Sequence, residues 1–251
     1  MKNITFRNIY INGQLILEND QYRHVHNSEM LLQYNSNFIT FKEMPSIDQF
    51  KAAQNYLRDF HEKSGQRHVR FYFPEGETIP SELTTYLLDN DYTIGVLELY
   101  AIQPELFPTV NNHPDINIQK VSNETLELFL KWQFEQDSVY GNAFAEQKQG
   151  QHVRNYNDDK IIQIIAFYQN KLVGSIDVII ADKTAEMDGF IVHEDYQKRG
   201  IGSQMQKFVM ELFQDKTIIL VADGEDTARE MYRKQNYQYL GLQYESLRVY
   251  D

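Results

Sequence analysis

The stretch A-E-M-D-G-F-I-V-H-E-D-Y-Q-K-R-G-I-G-S, from Ala185 to Ser203, constrains the fold more than any other part of the chain. An apolar run ends in a short polar loop with glycine at 200 and 202. A patterned apolar stripe then begins at once, with Ile201, Met205, Phe208, Val209, Leu212 and Phe213 recurring at i, i+4, i+7 and i+8. This is a strand running into a glycine loop and straight into a helix. Glycine lets backbone approach a bulky ligand without a side chain in the way. The unpaired N–H groups of a helix start, with the helix dipole behind them, suit an anion such as a pyrophosphate. The dinucleotide pattern G-x-G-x-x-G is excluded because position 205 is Met, and no G-K-[ST] of a P-loop occurs.

The rest of the second half alternates strands and helices around that stretch. Ile116–Val121 reads as a strand and Ser122–Gln136 as a helix opened by S-N-E-T. The Ile-rich runs Lys160–Tyr168 and Leu172–Ala181 form a hairpin across Gln169-Asn170-Lys171, followed by a strand over Thr184–Val192. A helix over Gly200–Gln214 leads to a strand at Thr217–Ala222, a helix at Asp226–Lys234 and two terminal strands, Tyr237–Leu242 and Tyr244–Tyr250. The turn-rich segment Phe107–Asn117, with Pro108, Asn111, Asn112 and Pro114, sets a domain boundary near residue 112, dividing 1–112 from 113–251. Before it, His68–Phe73, Ser81–Leu88 and Tyr92–Tyr100 repeat the strand, helix, strand-pair order of the chain's ending, an internal repeat of one half-fold.

Gln197-Lys198-Arg199-Gly200-Ile201-Gly202 resembles the Q/R-x-x-G-x-G/A signature of the GNAT superfamily of acyl-CoA N-acetyltransferases. Val192-x-x-x-Tyr196 stands before it, and Asp226–Tyr237 (D-T-A-R-E-M-Y-R-K-Q-N-Y) is similar to the family's later N-x-x-A-x-x-x-Y-x-K-x-G-F segment. Asp226 departs from the usual Asn, and Asn236-Tyr237 from Gly-Phe. The resemblance implies an α/β (α+β) fold: a mixed, mostly antiparallel GNAT sheet flanked by helices, preceded by a smaller, degenerate GNAT-like α/β domain that lacks the cofactor loop. It implies acetyl-CoA as co-substrate and direct transfer of acetyl to a primary amine, carried by a small molecule or a peptide.

The same resemblance assigns the residues. Gln197, Lys198, Arg199, Gly200, Ile201, Gly202 and Ser203 would contact the CoA pyrophosphate. Ile191 and Val192 would offer backbone groups to the thioester and pantetheine, and Asp226 one contact to the pantetheine arm. By strand alternation Glu186, Asp188, Phe190 and Val192 share a face. Glu186 resembles the family's base glutamate, with Asp188 competing and a water chain as a further route. Tyr232 falls on the tyrosine that protonates the departing thiolate. The acceptor side, Trp132–Phe144, offers Trp132, Asp137 and Tyr140 for cation–π and charge contacts to an amine.

Composition bounds the alternatives. With 36 acidic and 24 basic residues the net charge is −12, which disfavours nucleic acid and anionic membrane as partners and is compatible with a cationic substrate. Cysteine is absent, so disulfides, thiolate metal sites and a cysteine nucleophile fall away. His24-Val25-His26 would turn two imidazoles to one side of a strand, but the sequence places no third ligand, and no metal is expected. No signal pattern and no long apolar run is seen, so a cytoplasmic protein is expected, with a homodimer as a possible assembly. The competing reading is a non-catalytic acyl-CoA-binding or protein-interaction module on the same fold.

Overall fold

The computed structural model describes residues 3–224 and 228–250. In chain order the strands and helices are β1 (Gln14–Glu18), β2 (Tyr22–His26), β3 (Phe38–Phe41), α1 (Ile47–Lys63), β4 (His68–Tyr72), α2 (Ser81–Asp89) and β5 (Thr93–Ile102). There follow β6 (Ile116–Lys120), α3 (Leu126–Asp137), α4 (Asn142–Tyr156), β7 (Ile161–Tyr168), β8 (Lys171–Ile180) and β9 (Thr184–Val192). The chain ends with α5 (Ile201–Leu212), β10 (Thr217–Asp223), α6 (Ala228–Lys234) and β11 (Gln238–Val249). The segment expected to hold two terminal strands is the single long β11, which runs through Gln243 without a break. Likewise the pair expected over Tyr92–Tyr100 is the single strand β5.

Contacts divide the chain into two compact units, each discontinuous in sequence. One holds Asn3–Leu99 with the described parts of Ala222–Arg229 and Leu240–Asp251; the other holds Tyr100–Val221 and Glu230–Tyr239. In the first unit the strand order is β1-β2-β3-β4-β11-β5. Strands β1 to β3 form antiparallel neighbours, β3 and β4 are parallel, and β11 returns antiparallel to β4 from Glu245↔Tyr72 to Val249↔His68.

Helix α1 packs on this sheet because Phe50, Ala53, Leu57 and His61 repeat at helical spacing and are all buried. The rings of Phe41, Phe50, Phe71 and Phe73 cluster at centroid separations of 4.8 to 6.2 Å. Its start is closed by its own side chains: Ser46 accepts from the Gln49 amide, and the Gln49 side chain accepts from the Ser46 amide.

In the second unit the order is β10-β9-β8-β7-β6, with Tyr100–Ile102 of β5 also belonging to it. Pairing is antiparallel from β6 to β9 and parallel between β9 and β10. The β7–β8 hairpin turns on two residues, Gln169 and Asn170, both at positive φ (48° and 66°), the twist that joins adjacent strands most closely. On one face lie α3 and α4 over a core of Phe129, Trp132, Ile165 and Leu172. Helix α5 buries Ile201, Met205, Val209 and Met210. Among the described residues no helix is long and apolar enough to cross a membrane.

The His24–His26 pair does turn inward, and α1 and β4 add two more imidazoles to it. His24, His26, His61 and His68 are all at least nine-tenths buried, with His61 6.2 Å from His24, 6.3 Å from His26 and 4.7 Å from His68 between ring centroids. Among the described residues no group of three or more His, Cys, Asp or Glu is placed to hold a metal ion. Burial is the main cause that pushes these histidines down, His24 and His61 to about 4 and His68 to about 3, from an ordinary value of 6.5. Between those limits the unfolded chain takes protons that the folded chain refuses, so stability is complete above pH 6.5 and is lost as pH falls. The loss is at most about 1.4 kcal/mol per pH unit for each histidine. Thermal melts from pH 7 to pH 5 are therefore expected to show a steadily falling Tm, and a Tm that stays level over that range would contradict neutral buried imidazoles.

Candidate functional site

The site is shaped by one irregularity in β9. Its register with β8 runs Ala185↔Ile180, Glu186↔Ile179, Met187↔Val178 and Asp188↔Asp177, then resumes at Ile191↔Ser175 and Val192↔Gly174. Two residues, Gly189 and Phe190, thus stand opposite Ile176 alone, a bulge made feasible by Gly189 at φ +59°. The extra residue inverts the alternation. Glu186, Asp188 and Ile191 share one face, and Phe190 and Val192 turn to the other, which corrects the expectation that Phe190 and Val192 lie with the two carboxylates.

Both new orientations are used. Ile191 packs with Phe129 and Trp132 of α3. Phe190 and Val192 lie against α5, where a Cβ placed on Gly202 would come within 3.2 Å of the Phe190 ring and 3.9 Å of Val192. On its other side β9 pairs with β10 over three positions only, Thr184↔Thr217 to Glu186↔Ile219. Beyond Glu186 both strands continue, β9 to Val192 and β10 to Asp223, without further pairing among the described residues.

The loop after β9 is held by its own groups. His193 Nδ1 accepts from the Asp195 amide at 3.3 Å, Gln197 Nε2 donates to the Val192 carbonyl at 3.1 Å, and Arg199 Nη2 donates to the Asp195 carbonyl at 3.2 Å. Lys198 takes φ +59° and Gly200 φ +82°, so the chain folds back into α5 without a side-chain cap. The first helical bond is Gln204 N–H to Gly200 C=O. The N–H groups of Ile201, Gly202 and Ser203 therefore have no partner within the helix and point out of its end. In helix α1, by contrast, Ser46 and Gln49 take the Gln49 and Ser46 N–H groups, which leaves those of Ile47 and Asp48 at its end. Beside the loop lies an open cleft of about 400 Å³ lined by Tyr168, Gln169, Lys171, Asp195, Tyr196 and Arg199. The Arg199 guanidinium stands 5.4 Å from both tyrosine rings.

The remaining candidates are dispersed. Glu186 is buried on β9 at the last pair before the strands part, and Asp188, two residues on, is exposed. Tyr232 is buried on α6, with its ring 5.5 Å from Tyr100 and 5.4 Å from Tyr237. Tyr237 donates to Gln206 at 2.8 Å and Gln235 to Ser203 at 3.3 Å, which ties the end of α6 to α5. Asp226 lies outside the described residues. Trp132 is packed in the α3 core, Tyr140 is 76% exposed against Phe144, and Asp137 Oδ2 is 3.0 Å from His152 Nε2. The three residues expected on the acceptor side are thus not brought together.

Sequence reasoning passed over Asp177 and His152. Asp177 faces Asp188 across the strands and accepts from Asn155 of α4 at 2.9 Å. Burial, reinforced by Asp188, pushes its carboxyl up, while His152, Asn155 and Lys148 pull against that shift. The available signal was a lone acid in the apolar run S-I-D-V-I-I.

Residues 123–237 match the Acetyltransferase (GNAT) family, and residues 4–100 match a domain of unknown function (DUF5613). The chain is 33% identical, over 99% of both chains and with a TM-score of 0.88, to a functionally unknown conserved protein from Staphylococcus epidermidis ATCC 12228. It shares its fold with a GCN5-related N-acetyltransferase from Kribbella flavida (TM-score 0.60, 12% identity, 93% of this chain and 88% of that one). It does so as well with a tandem GNAT protein from the clavulanic acid biosynthesis pathway (TM-score 0.55, 8% identity, 84% and 75%). Comparison with curated proteins gives no match. Residues 123–237 thus form a GNAT acetyltransferase-family domain, and over its full length the chain is related to the conserved staphylococcal protein of unknown function.

The packing around the bulge carries a direct test. A Cβ on Gly174 would stand 2.9 Å from the Ile191 carbonyl oxygen and 3.2 Å from Met205 Sδ. Gly174→Ala is expected to push β9 away from β8 and cost about 1–3 kcal/mol, seen as a Tm lowered by several degrees; an unchanged Tm would mean that this end of β9 gives way freely.

Proposed function

We propose that the protein is an N-acetyltransferase that moves acetyl from acetyl-CoA directly to a primary amine on a small molecule or peptide. The observation that carries the reading is the uncapped start of α5 at Gly200, set at the end of a strand that has parted from its parallel neighbour, within the segment that matches the GNAT family. The N–H groups of Ile201, Gly202 and Ser203 fit a pyrophosphate, with Gln197, Lys198 and Arg199 around it. Ile191 and Val192 would offer main-chain groups to the pantetheine and thioester, and Asp226 a further contact. The first half is read as a GNAT-like copy without a cofactor site, supported by the self-capped start of α1.

The chain's own groups then divide the proton movements. An ammonium of pKa about 10 must lose a proton before its nitrogen attacks the thioester carbon, and a thiolate of ordinary pKa about 8.5 takes one as the C–S bond breaks. Glu186, buried where β9 leaves β10, is the preferred acceptor of the first proton, with Asp188 or a water chain as the other routes. Tyr232 is the donor of the second, a phenol being acidic enough to protonate a forming thiolate.

Calorimetric titration of acetyl-CoA into the full chain is expected to give micromolar binding that a Gly200→Val/Gly202→Val double variant loses while remaining folded. Absence of binding by the native protein would end the enzyme reading, and the fold would then serve as a scaffold. Tyr232→Phe is expected to depress turnover by about 10²–10⁴ in a thiol-release assay across a panel of amines, with acetyl-CoA affinity unchanged. Equal turnover would remove the assignment.

A further inference from the structure

The face of the second unit's sheet turned toward α3 and α4 carries a row of polar residues in strands that are otherwise rich in isoleucine. Register sets Gln163 of β7 opposite Asp177 of β8, and Asp177 opposite Asp188 of β9. Ser175, two residues along β8 on the same face, lies between Ile165 and Ile191, both of which pack toward α3. Helix α4 closes over the row: Asn155 Nδ2 donates to Asp177, and Gln163 Nε2 donates to the His152 carbonyl at 3.3 Å. His152 is 96% buried, and its Nε2–H donates to Asp137.

What remains in this row is a surplus of acceptors. In its neutral form, with Nε2 donating, His152 carries a lone pair on Nδ1. With Nε2 of Gln163 donating, its Oε1 is an acceptor as well. Among the described residues neither atom has a hydrogen-bond partner, and neither has Ser175 Oγ; the three residues are only 4%, 3% and 0% exposed. Here the unpaired atoms accompany two facing carboxyl groups. A donor-rich cation supplies what the acceptors among them lack, and the Ser175 hydroxyl can accept from it as well. The nearby Lys148 on α4 donates to Gln151 at 3.2 Å and adds positive charge near Asp177 without a hydrogen bond to it. Asp188 is exposed and gives the row an open end.

We propose that this row is the seat of the acceptor's ammonium group, with the half-buried Asp177 as its counter-ion and a neutral His152, oriented by Asp137, taking one of its N–H bonds. The acceptor is thereby a primary amine whose charged head enters between β8–β9 and α4, past Asp188. This rests on the acetyl-transfer reading for its meaning, but not for its test. Asp177 and His152 act by holding the amine; the attack and both proton transfers remain with the groups described above. The carboxyl of Asp177, raised by burial and by Asp188, is the kind of group that a bound cation would return to its ionised form.

Two measurements on the full chain separate the possibilities. With ¹⁵N-labelled histidine, titration of wild-type protein with n-butylammonium chloride is expected to move the His152 Nδ1 signal, while tetramethylammonium, which has no N–H, leaves it in place. No movement, or equal movement with both ions, overturns the proposal without recourse to any variant. In the transfer assay Asp177→Asn, which keeps the shape and the bond to Asn155, is expected to raise KM for the amine by about tenfold or more. Its kcat and its affinity for acetyl-CoA are expected to stay close to wild type. An unchanged KM in an active enzyme overturns the ammonium seat and leaves the acetyl-transfer reading intact. Butylammonium binding at His152 in a protein that acetylates no amine upholds the seat and overturns that reading.

Discussion

Strand β9 must do two incompatible things, and Gly189 is where they are reconciled. Up to Glu186 it is an interior strand, paired with β8 on one side and β10 on the other. After Glu186 it must leave β10, stay bonded to β8 and deliver the chain to the start of α5. A regular strand would keep one set of side chains toward α3 throughout. The bulge at Gly189, with φ +59°, inverts the set, so that Phe190 and Val192 go under α5 and fix Gly202 close to them. The position of the loop, the direction of α5 and the separation of the two faces all follow from that single extra residue.

The chain also contains the same construction without the opening. In element order, β3-α1-β4-α2-β5 parallels β9-α5-β10-α6-β11, and in both the two strands flanking the first helix are parallel to each other. The difference lies at the helix start. In α1 the side chains of Ser46 and Gln49 occupy two of the main-chain donors that a ligand would need. In α5 the cap is a glycine in the left-handed region, which has no side chain to do so. One supersecondary plan therefore gives a closed, structural helix end or an open, anion-competent one, and a few residues before the first turn decide which.

Legibility in the sequence followed the strength of local pattern. The bounds of β9, the hairpin β7–β8 and the stripe of α5 were readable because long apolar runs met sharp turn signals. Helix α4 was not readable: N-A-F-A-E-Q-K-Q-G-Q-H-V-R-N-Y has no apolar stripe and a glycine in its middle, and its buried positions include Gln151 and His152. Because α4 was missed, so was the polar row it covers. The two terminal strands proved to be one because Gln243, where the sequence reading divided them, is a strand residue within β11. The bulge was hidden for a different reason: strand alternation read from sequence assumes a period of two, and one glycine at positive φ breaks it without changing the apolar character of the run.

The net charge of −12 describes neither face of β9. On the α5 side the groups left over are donors and cations: the main-chain N–H groups of Ile201 to Ser203, with Lys198, Arg199 and Lys171 near them. On the α3–α4 side they are acceptors and carboxyl groups: Asp177, Asp188, Gln163 Oε1, Ser175 Oγ and His152 Nδ1. At the low effective dielectric of a partly buried site, such local excesses outweigh the screened field of distant surface charge. An anionic donor and a cationic acceptor would therefore be sorted to opposite faces of one strand before any side chain acts chemically. The strand's own backbone, freed from β10 beyond Glu186, is what lies between them.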